Sequence, residues 1–262
     1  MVPKISVLIG IFNCASTLQE ALDSLYSQTF QDFEIILCDD GSSDNTYSLA
    51  LENQKKHPNI VLIKNDHNMG LNFTLNRCLA IARGKYIARM DGDDISLPNR
   101  FEIELSFIEN HPNYSIVSTP MIFFDEHGDY RQGIGKGEVK KSHFIKRTPF
   151  CHAPCLVRKE AYDAVGGYSE SKWLLRVEDY HLWMKMYEKG YIGYNLKDPL
   201  YKMRDDRNAY SRRKFKYRIN EAYVKYLCIR NLDLPFYNLI YVLRPLIIGL
   251  LPKPIYNIIH KR

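Results

Sequence analysis

Three carboxylates fall within four residues at Asp91-Gly92-Asp93-Asp94, directly after the apolar run Tyr86-Ile87-Ala88-Arg89-Met90. Like charges this close repel one another, and the run that reaches them reads as a buried strand that must end there. The acids are thereby delivered to the C-terminal edge of a strand, where open α/β sheets take up ligands. Oxygen donors of this kind suit a hard divalent cation, Mg²⁺ or Mn²⁺, which would also relieve the repulsion. A solvated acidic turn is the competing reading of the motif by itself. An EF-hand loop does not fit, because the sixth position is Ser96 and not the required Gly.

Other acidic pairs recur at the ends of expected elements. Asp39-Asp40 follows a strand-like run, where a carboxylate can accept an N–H from a base or a ribose hydroxyl, or simply cap the next helix. Glu178-Asp179 opens a segment whose Leu182, Trp183 and Met186 form an apolar stripe. The helix dipole stabilises an anion at that end, which suits a base that must be ionised; plain charge complementarity with the helix start is the alternative. Asp125-Glu126 has no such setting and reads as loop. Cysteines 14, 38, 78, 151, 155 and 228 show no paired metal-ligand spacing, and a reducing compartment is expected.

The elements that must position these groups alternate in type. Ile5–Ile11 reads as a strand, Ser16–Gln28 as a helix with Leu18, Ala21, Leu22 and Leu25 at helical spacing, and Phe33–Cys38 as a second strand. Asp44 is the expected N-cap of a helix through Leu51. Ile60–Ile63 is a third strand and Leu71–Ala82 a third helix, ahead of the strand that leads to Asp91. Such alternation predicts a mostly parallel central sheet flanked by helices, with residues 1–100 as a doubly wound nucleotide-binding half. Beyond it, Arg100–Asn110 reads as a helix, Ser115–Phe124 as one strand, 125–147 as a polar Gly-rich loop, and Lys159–Val165 and Glu178–Lys189 as helices. Arg212–Arg230 reads as a basic helix with Phe215, Ile219, Tyr223 and Leu227 on one face.

Charge is divided unevenly along the 262 residues. From Tyr201 to Arg262 there are 14 Lys/Arg against 4 Asp/Glu, whereas the first 200 residues carry 22 against 26. The basic C-terminal quarter suits phosphates or an anionic membrane surface; no nucleic-acid motif accompanies it. Between Leu234 and Arg262 the chain is strongly apolar, but Arg244, Pro245 and Pro252 interrupt it before the roughly 20 residues that a spanning helix needs. A helix lying in the membrane interface, or packed on the protein's own core or on a second subunit, is expected. Met1 to Phe12 reads as a strand and not as a signal peptide, so a cytoplasmic protein, peripheral on the inner face of the cell membrane, is the expected location.

In order along the chain, Ser6-Val7-Leu8-Ile9-Gly10-Ile11-Phe12-Asn13, Ser27-Gln28-Thr29-Phe30, Phe33-Glu34-Ile35-Ile36 and Asp39-Asp40-Gly41-Ser42-Ser43-Asp44 resemble the family 2 glycosyltransferases. So do Asn68-Met69-Gly70-Leu71, Leu75-Asn76, Ala82-Arg83-Gly84-Lys85 with the run to Asp94, His152, Gly166-Gly167-Tyr168 and Glu178-Asp179-Tyr180-His181-Leu182-Trp183. The resemblance spans residues 5 to about 211. It implies a GT-A type fold in residues 1–211, with a donor half (1–100) and an acceptor half (101–211), followed by a helical segment at 212–262.

The same resemblance implies roles at the matching positions. Gly10, Phe12 and Asp40 line the base pocket, with Phe12 standing where Tyr is usual. Asp91 approaches ribose, sugar or metal, and Asp93 holds Mg²⁺ or Mn²⁺ on the donor diphosphate. Asp179 is the general base, supported by Glu178, which also meets the acceptor. His152, Gly167 and Tyr168 border the acceptor site. Two departures stand out: Gly10-Ile11 replaces a Pro-Thr type pair, and Tyr201-Lys202-Met203-Arg204 lacks the usual late His, so Arg204 or Arg207 supplies positive charge instead.

The expected activity is inverting transfer from a nucleotide sugar, UDP-linked, to a glycan on a lipid carrier, in capsule, O-antigen or exopolysaccharide assembly. Two rival classes remain: a non-catalytic sugar- or membrane-binding module on the same fold, and a nucleotide-sugar nucleotidyltransferase. The second needs a Gly-rich basic loop after the first strand, where this chain has Asn13-Cys14-Ala15-Ser16.

Overall fold

The computed structural model describes residues 2–205 and 214–250. Arg207, the expected helix start at Arg212 and the basic end of the tail therefore lie outside the described residues. Four strands, β1 (Ile5–Ile11), β2 (Phe33–Asp39), β3 (Ile60–Lys64) and β4 (Tyr86–Arg89), run parallel in the order β3-β2-β1-β4. The connections between them are α1 (Leu18–Tyr26), α2 (Thr46–Lys56) and α3 (Leu71–Ile81). β2 is buried along its whole length, as parallel strands covered on both faces must be. Alternation along β1 sends Leu8 to the layer of Leu75 and Cys78 on α3, and Val7 and Ile9 to the layer of Leu18, Leu22 and Leu25 on α1.

The second half comprises β5 (Ile95–Ser96), α4 (Arg100–Asn110), β6 (Tyr114–Ser118), β7 (Met121–Asp125), β8 (Gly128–Gln132), β9 (Gly137–Glu138), β10 (Cys155–Arg158), α5 (Lys159–Val165), α6 (Glu178–Glu188), β11 (Ile192–Asn195), β12 (Tyr201–Arg204), α7 (Phe215–Asn231) and α8 (Ile240–Leu250). The main sheet continues from β4 as β10-β6-β11-β9, with β10 antiparallel to both its neighbours. The result is an α/β fold whose mixed sheet is parallel in its first half. A small second sheet, β5-β12-β7-β8, stands beside it.

Three expectations are corrected here. The single strand over Ser115–Phe124 is two: Thr119-Pro120 breaks it, β6 stays in the main sheet and β7 joins the small one. Pro120 has no N–H for a ladder, and Thr119 Oγ1 instead donates to the Asp198 carbonyl at 2.5 Å. The loop expected over 125–147 contains β8, β9 and a 3-10 turn; β8 is largely exposed, so no apolar alternation announced it. Asp44 is not the N-cap of α2. Asn45 holds that position, while Asp44 accepts the Thr46 N–H at 2.9 Å and the Ala15 N–H at 3.2 Å. On α7, Val224, Cys228 and Ile229 form the packed face, and Phe215, Ile219 and Tyr223 stay about two-fifths exposed.

A buried cation ties the two halves together beneath the acidic turn. Arg100 is fully buried at the start of α4; its Nε donates to Glu104 at 3.1 Å and its Nη2 donates to the carbonyls of Arg89, Ala153 and Cys155 at 3.1–3.4 Å. Burial pushes the Glu104 carboxyl up to about 7 against the pull of Arg100. The two partners should therefore respond differently to substitution. Arg100→Met strands Glu104 and three carbonyls and is expected to cost about 3 kcal/mol, whereas Glu104→Gln retains an acceptor for Arg100 and is expected to cost under about 1 kcal/mol. Urea denaturation of both variants checks this; equal losses contradict it.

Candidate active site

β1, β2 and β4 end on the same side, as parallel neighbours do, and each delivers a polar segment there. After β1 comes Phe12, about half exposed, and after β2 comes Asp40, which is buried. Asp40 accepts the N–H groups of Met69 at 2.8 Å and Gly70 at 3.0 Å, and the Asn65 Nδ2 at 2.7 Å. It thereby fixes the 68–70 segment that leads into α3. These elements enclose a cavity of ≈ 380 Å³ lined by Gly10, Phe12, Asp40, Asn68 and, from the far side, Arg176 and Glu178. Gly10 keeps its floor open: a Cβ there would lie 3.1 Å from Leu71 and 3.2 Å from Thr74.

The acidic turn follows β4; none of its residues lines this cavity, which it approaches through the contact of Gly92 with Ile11. Gly92 packs so closely on Ile11 and Cys14 that a Cβ would meet them at 3.0–3.1 Å, and Thr17 Oγ1 donates to its carbonyl at 3.1 Å. Oxygen atoms of Asp91, Asp93 and Asp94 lie within 4.8 Å of one another. The three acids have different surroundings. Asp94 is buried, accepting the Tyr201 hydroxyl at 2.9 Å and the Arg204 N–H at 2.8 Å. It anchors β12 to the turn, a task that sequence alone left open. Asp91 pairs with Arg89 from β4, whose Nη1 donates at 2.7 Å, and its own N–H donates to the Tyr201 hydroxyl at 3.1 Å. Asp93 reaches solvent.

Crowding is visible in their acidity. Burial, then the charges of Asp91 and Asp93, push the Asp94 carboxyl up to about 8; desolvation and Asp91 also raise Asp93. Hard oxygen donors crowded in this way fit a divalent cation, with Arg89 already meeting both Asp91 oxygens. Arg204 lies alongside: its Nε donates to the Asp93 carbonyl at 3.0 Å and its guanidinium pairs with Glu20.

α6 starts across the cleft. Glu178 lines the first cavity, and its Oε2 is shielded from solvent without a hydrogen-bond partner among the described residues. Asp179, the next residue, lines a second cavity of ≈ 610 Å³ with Arg147, Tyr180, Lys214 and Arg218. The two cavities share Arg176 and Tyr217. Burial, then the neighbouring Glu178 charge, push the Asp179 carboxyl up to about 7.

His152, Gly167 and Tyr168 line neither cavity. Tyr168 is buried, and its hydroxyl meets His152 Nε2 at 2.8 Å and the Tyr162 hydroxyl at 3.1 Å. Burial and the Arg89 charge hold the His152 imidazole well below its usual range, hence neutral. Gly167 has φ +67°, and a Cβ there would lie 2.7 Å from Asn76 Oδ1; Asn76 in turn brackets Tyr168 with two backbone hydrogen bonds of 2.8–2.9 Å. These residues form the wall behind α6.

The family model described as Glycosyl transferase family 2 matches residues 6–166. The chain belongs to that family. It is a glycosyltransferase. Among its relatives is the "Putative glycosyltransferase EpsE" of Bacillus subtilis, 41% identical over 99% of this chain and 94% of that protein. Another is the "UDP-Gal:alpha-D-GlcNAc-diphosphoundecaprenol beta-1,3-galactosyltransferase" of Escherichia coli, 31% identical over 99% of this chain and 96% of that one. In structure the enzyme is similar to Staphylococcus aureus TarS residues 1–349 in complex with UDP, with a TM-score of 0.71 and 20% identity, over 94% of this chain and 70% of that one. This likeness establishes the GT-A fold.

Two parts of this glycosyltransferase's site escaped the sequence reading. Arg89 and Asp91 are i, i+2 neighbours at a strand end, a spacing that places side chains on one face, so their pairing had a usable signal. Arg176 and Tyr217 come from segments about 40 residues apart in sequence, and no local pattern joins them.

Proposed function

We propose that this enzyme moves a sugar from a UDP-linked donor to a lipid-linked glycan acceptor, with inversion at the anomeric carbon, in assembly of a surface polysaccharide. The observation that carries the reading is the split at the start of α6: Glu178 faces one cavity and Asp179 the other, across shared walls. A base and a donor pocket in that relation permit attack from the side opposite the leaving group.

In this reading Phe12 stacks on the base and Gly10 and Asp40 shape the pocket around it. Asp93 and Asp91 hold Mg²⁺ or Mn²⁺, which supplies charge to the leaving diphosphate as a Lewis acid. Arg89 keeps Asp91 aimed, and Arg204 adds positive charge beside the turn. Glu178 orients a sugar hydroxyl through its free Oε2. Asp179 takes the proton of the acceptor hydroxyl as the acceptor oxygen bonds to the anomeric carbon. The bond from that carbon to the diphosphate oxygen breaks, and its electron pair leaves with UDP. His152, Gly167 and Tyr168 act at the acceptor side by holding α6 in place.

The relatives' printed substrates support a UDP donor and a lipid diphosphate acceptor. No helix among the described residues is long and apolar enough to cross a membrane. The α7–α8 segment supplies a peripheral contact instead, on the inner face of the cell membrane: Ile240, Leu243, Ile247 and Leu250 are all more than half exposed along one face of α8. The test is hydrolysis of a panel of UDP-sugars by the purified protein, with and without a chelator. Metal-dependent release of UDP from one donor is expected, and no turnover or binding of any UDP-sugar overturns the reading.

A further inference from the structure

The cavity that contains Asp179 is far more basic than sugar recognition requires. Arg147, Arg176, Lys214 and Arg218 line it, against the carboxylates of Asp179 and Glu221. Arg218 donates to Glu221 at 3.0 Å, but Arg147, Arg176 and Lys214 have no ion-pair partner among the described residues. The cations come from three separate segments: the turn before β10, the position two residues ahead of α6, and the start of α7. Lys214, the N-cap of α7, is followed by Tyr217, Arg218 and Glu221 on one face of the helix, and all four line the cavity.

One wall of this cavity continues into apolar surface. Gly249 of α8 packs against Phe215 and Arg218, where a Cβ would come within 2.9–3.0 Å of either side chain. α8 thus reaches the cationic cavity at Arg218, and it carries the exposed apolar residues Ile240, Leu243, Ile247 and Leu250. Asp179 and the cations share one cavity, and an apolar helix packs against one of them, Arg218.

We propose that Arg147, Arg176, Lys214 and Arg218 form a subsite for the diphosphate of the acceptor, a sugar joined through diphosphate to a lipid. This rests on the glycosyltransferase reading above and deepens it. Base, cations and apolar helix offer partners for the sugar hydroxyl, the diphosphate and the lipid respectively. Because the cations share one cavity with Asp179, the hydroxyl that reacts lies within one or two sugar units of the diphosphate. The enzyme therefore acts early in chain assembly and selects for the anionic linkage, with Arg and Lys contacts to phosphate supplying the discrimination.

The experiment compares two acceptors bearing the same sugar: N-acetylglucosaminyl diphosphoryl farnesol and the neutral octyl glycoside of N-acetylglucosamine. The pair Arg147→Gln/Lys214→Gln is expected to lower the ratio of their kcat/KM values by about 100-fold, mainly through the KM of the diphosphate. Calorimetric binding of the diphosphoryl lipid in detergent micelles is expected to weaken in parallel, and this readout does not depend on turnover. Binding to phosphatidylglycerol micelles reports the rival use of the same cations on any anionic surface. An unchanged acceptor ratio, or an equal loss of affinity for both micelles, overturns the proposal while leaving UDP-sugar hydrolysis to decide the underlying reading. Conversely, absent UDP-sugar turnover with intact diphosphoryl-lipid binding overturns that reading and keeps the subsite.

Discussion

Asp179→Asn is expected to lower kcat about 1,000-fold while leaving donor affinity near that of the native enzyme, because a general base contributes roughly 10²–10⁴ to rate. The carboxyl lines the cavity of Arg147 and Lys214 and not the one of Gly10, Phe12 and Asp40, which is why rate and donor binding should separate. Its pH behaviour provides a second readout. Burial and Glu178 raise the acid from its ordinary range to about 7, with Arg89 opposing the shift. A base works only when deprotonated, so activity should be lost as pH falls through about 7 and reach a plateau above it. In kcat/KM profiles the residual rate of Asp179→Asn should lack that acidic limb. A variant with native rates and a native profile places the base elsewhere.

Asp93→Asn is expected to cost about as much, by a different route. Asp93 is the exposed member of the acidic turn, whereas Asp94 is committed to Tyr201 and Arg204. The Asn variant should therefore fold normally, with stability within about 0.5 kcal/mol of native. Its kcat should fall about 1,000-fold, in the range seen when electrostatic help to a leaving group is lost. The concentration of Mn²⁺ needed for half-maximal rate should rise at least about tenfold. Asp94→Ala reverses the pattern: it is expected to be less stable, since the anchor between the turn and β12 is gone. Titrating Mn²⁺ into chelator-treated protein, alongside denaturation curves, checks both expectations. Equal metal dependence in native and Asp93→Asn protein contradicts the assignment.

The groups most easily read from sequence were those whose chemistry is written at the end of an element. Asp91 and Asp93 follow a buried strand, Asp40 follows another, and Glu178-Asp179 begin a helix; each placement needed only local pattern, and the roles expected of them came from the family resemblance. The failures have equally physical causes. β8 and β9 lie at sheet edges with little burial, so their residues carry no apolar alternation. The strand broken at Thr119-Pro120 was marked by its proline, and the apolar runs on both sides outweighed that signal. Tyr201 links Asp91 to Asp94 from 107–110 residues away, and Arg176 joins two cavities only because α6 and α7 converge there. Such long-range meetings are properties of topology. The C-terminal basic segment showed its charge in the sequence, but the division of α7 into a packed face and an exposed aromatic face depended on what α6 and α8 left uncovered.

The configuration of the newly formed glycosidic bond tests the central claim most directly. Product made from an α-linked UDP-sugar, read by the coupling between the first two ring protons in its NMR spectrum, is expected to be β-linked, as required by a single base opposite the leaving diphosphate. An α-linked product would contradict in-line attack assisted by Asp179.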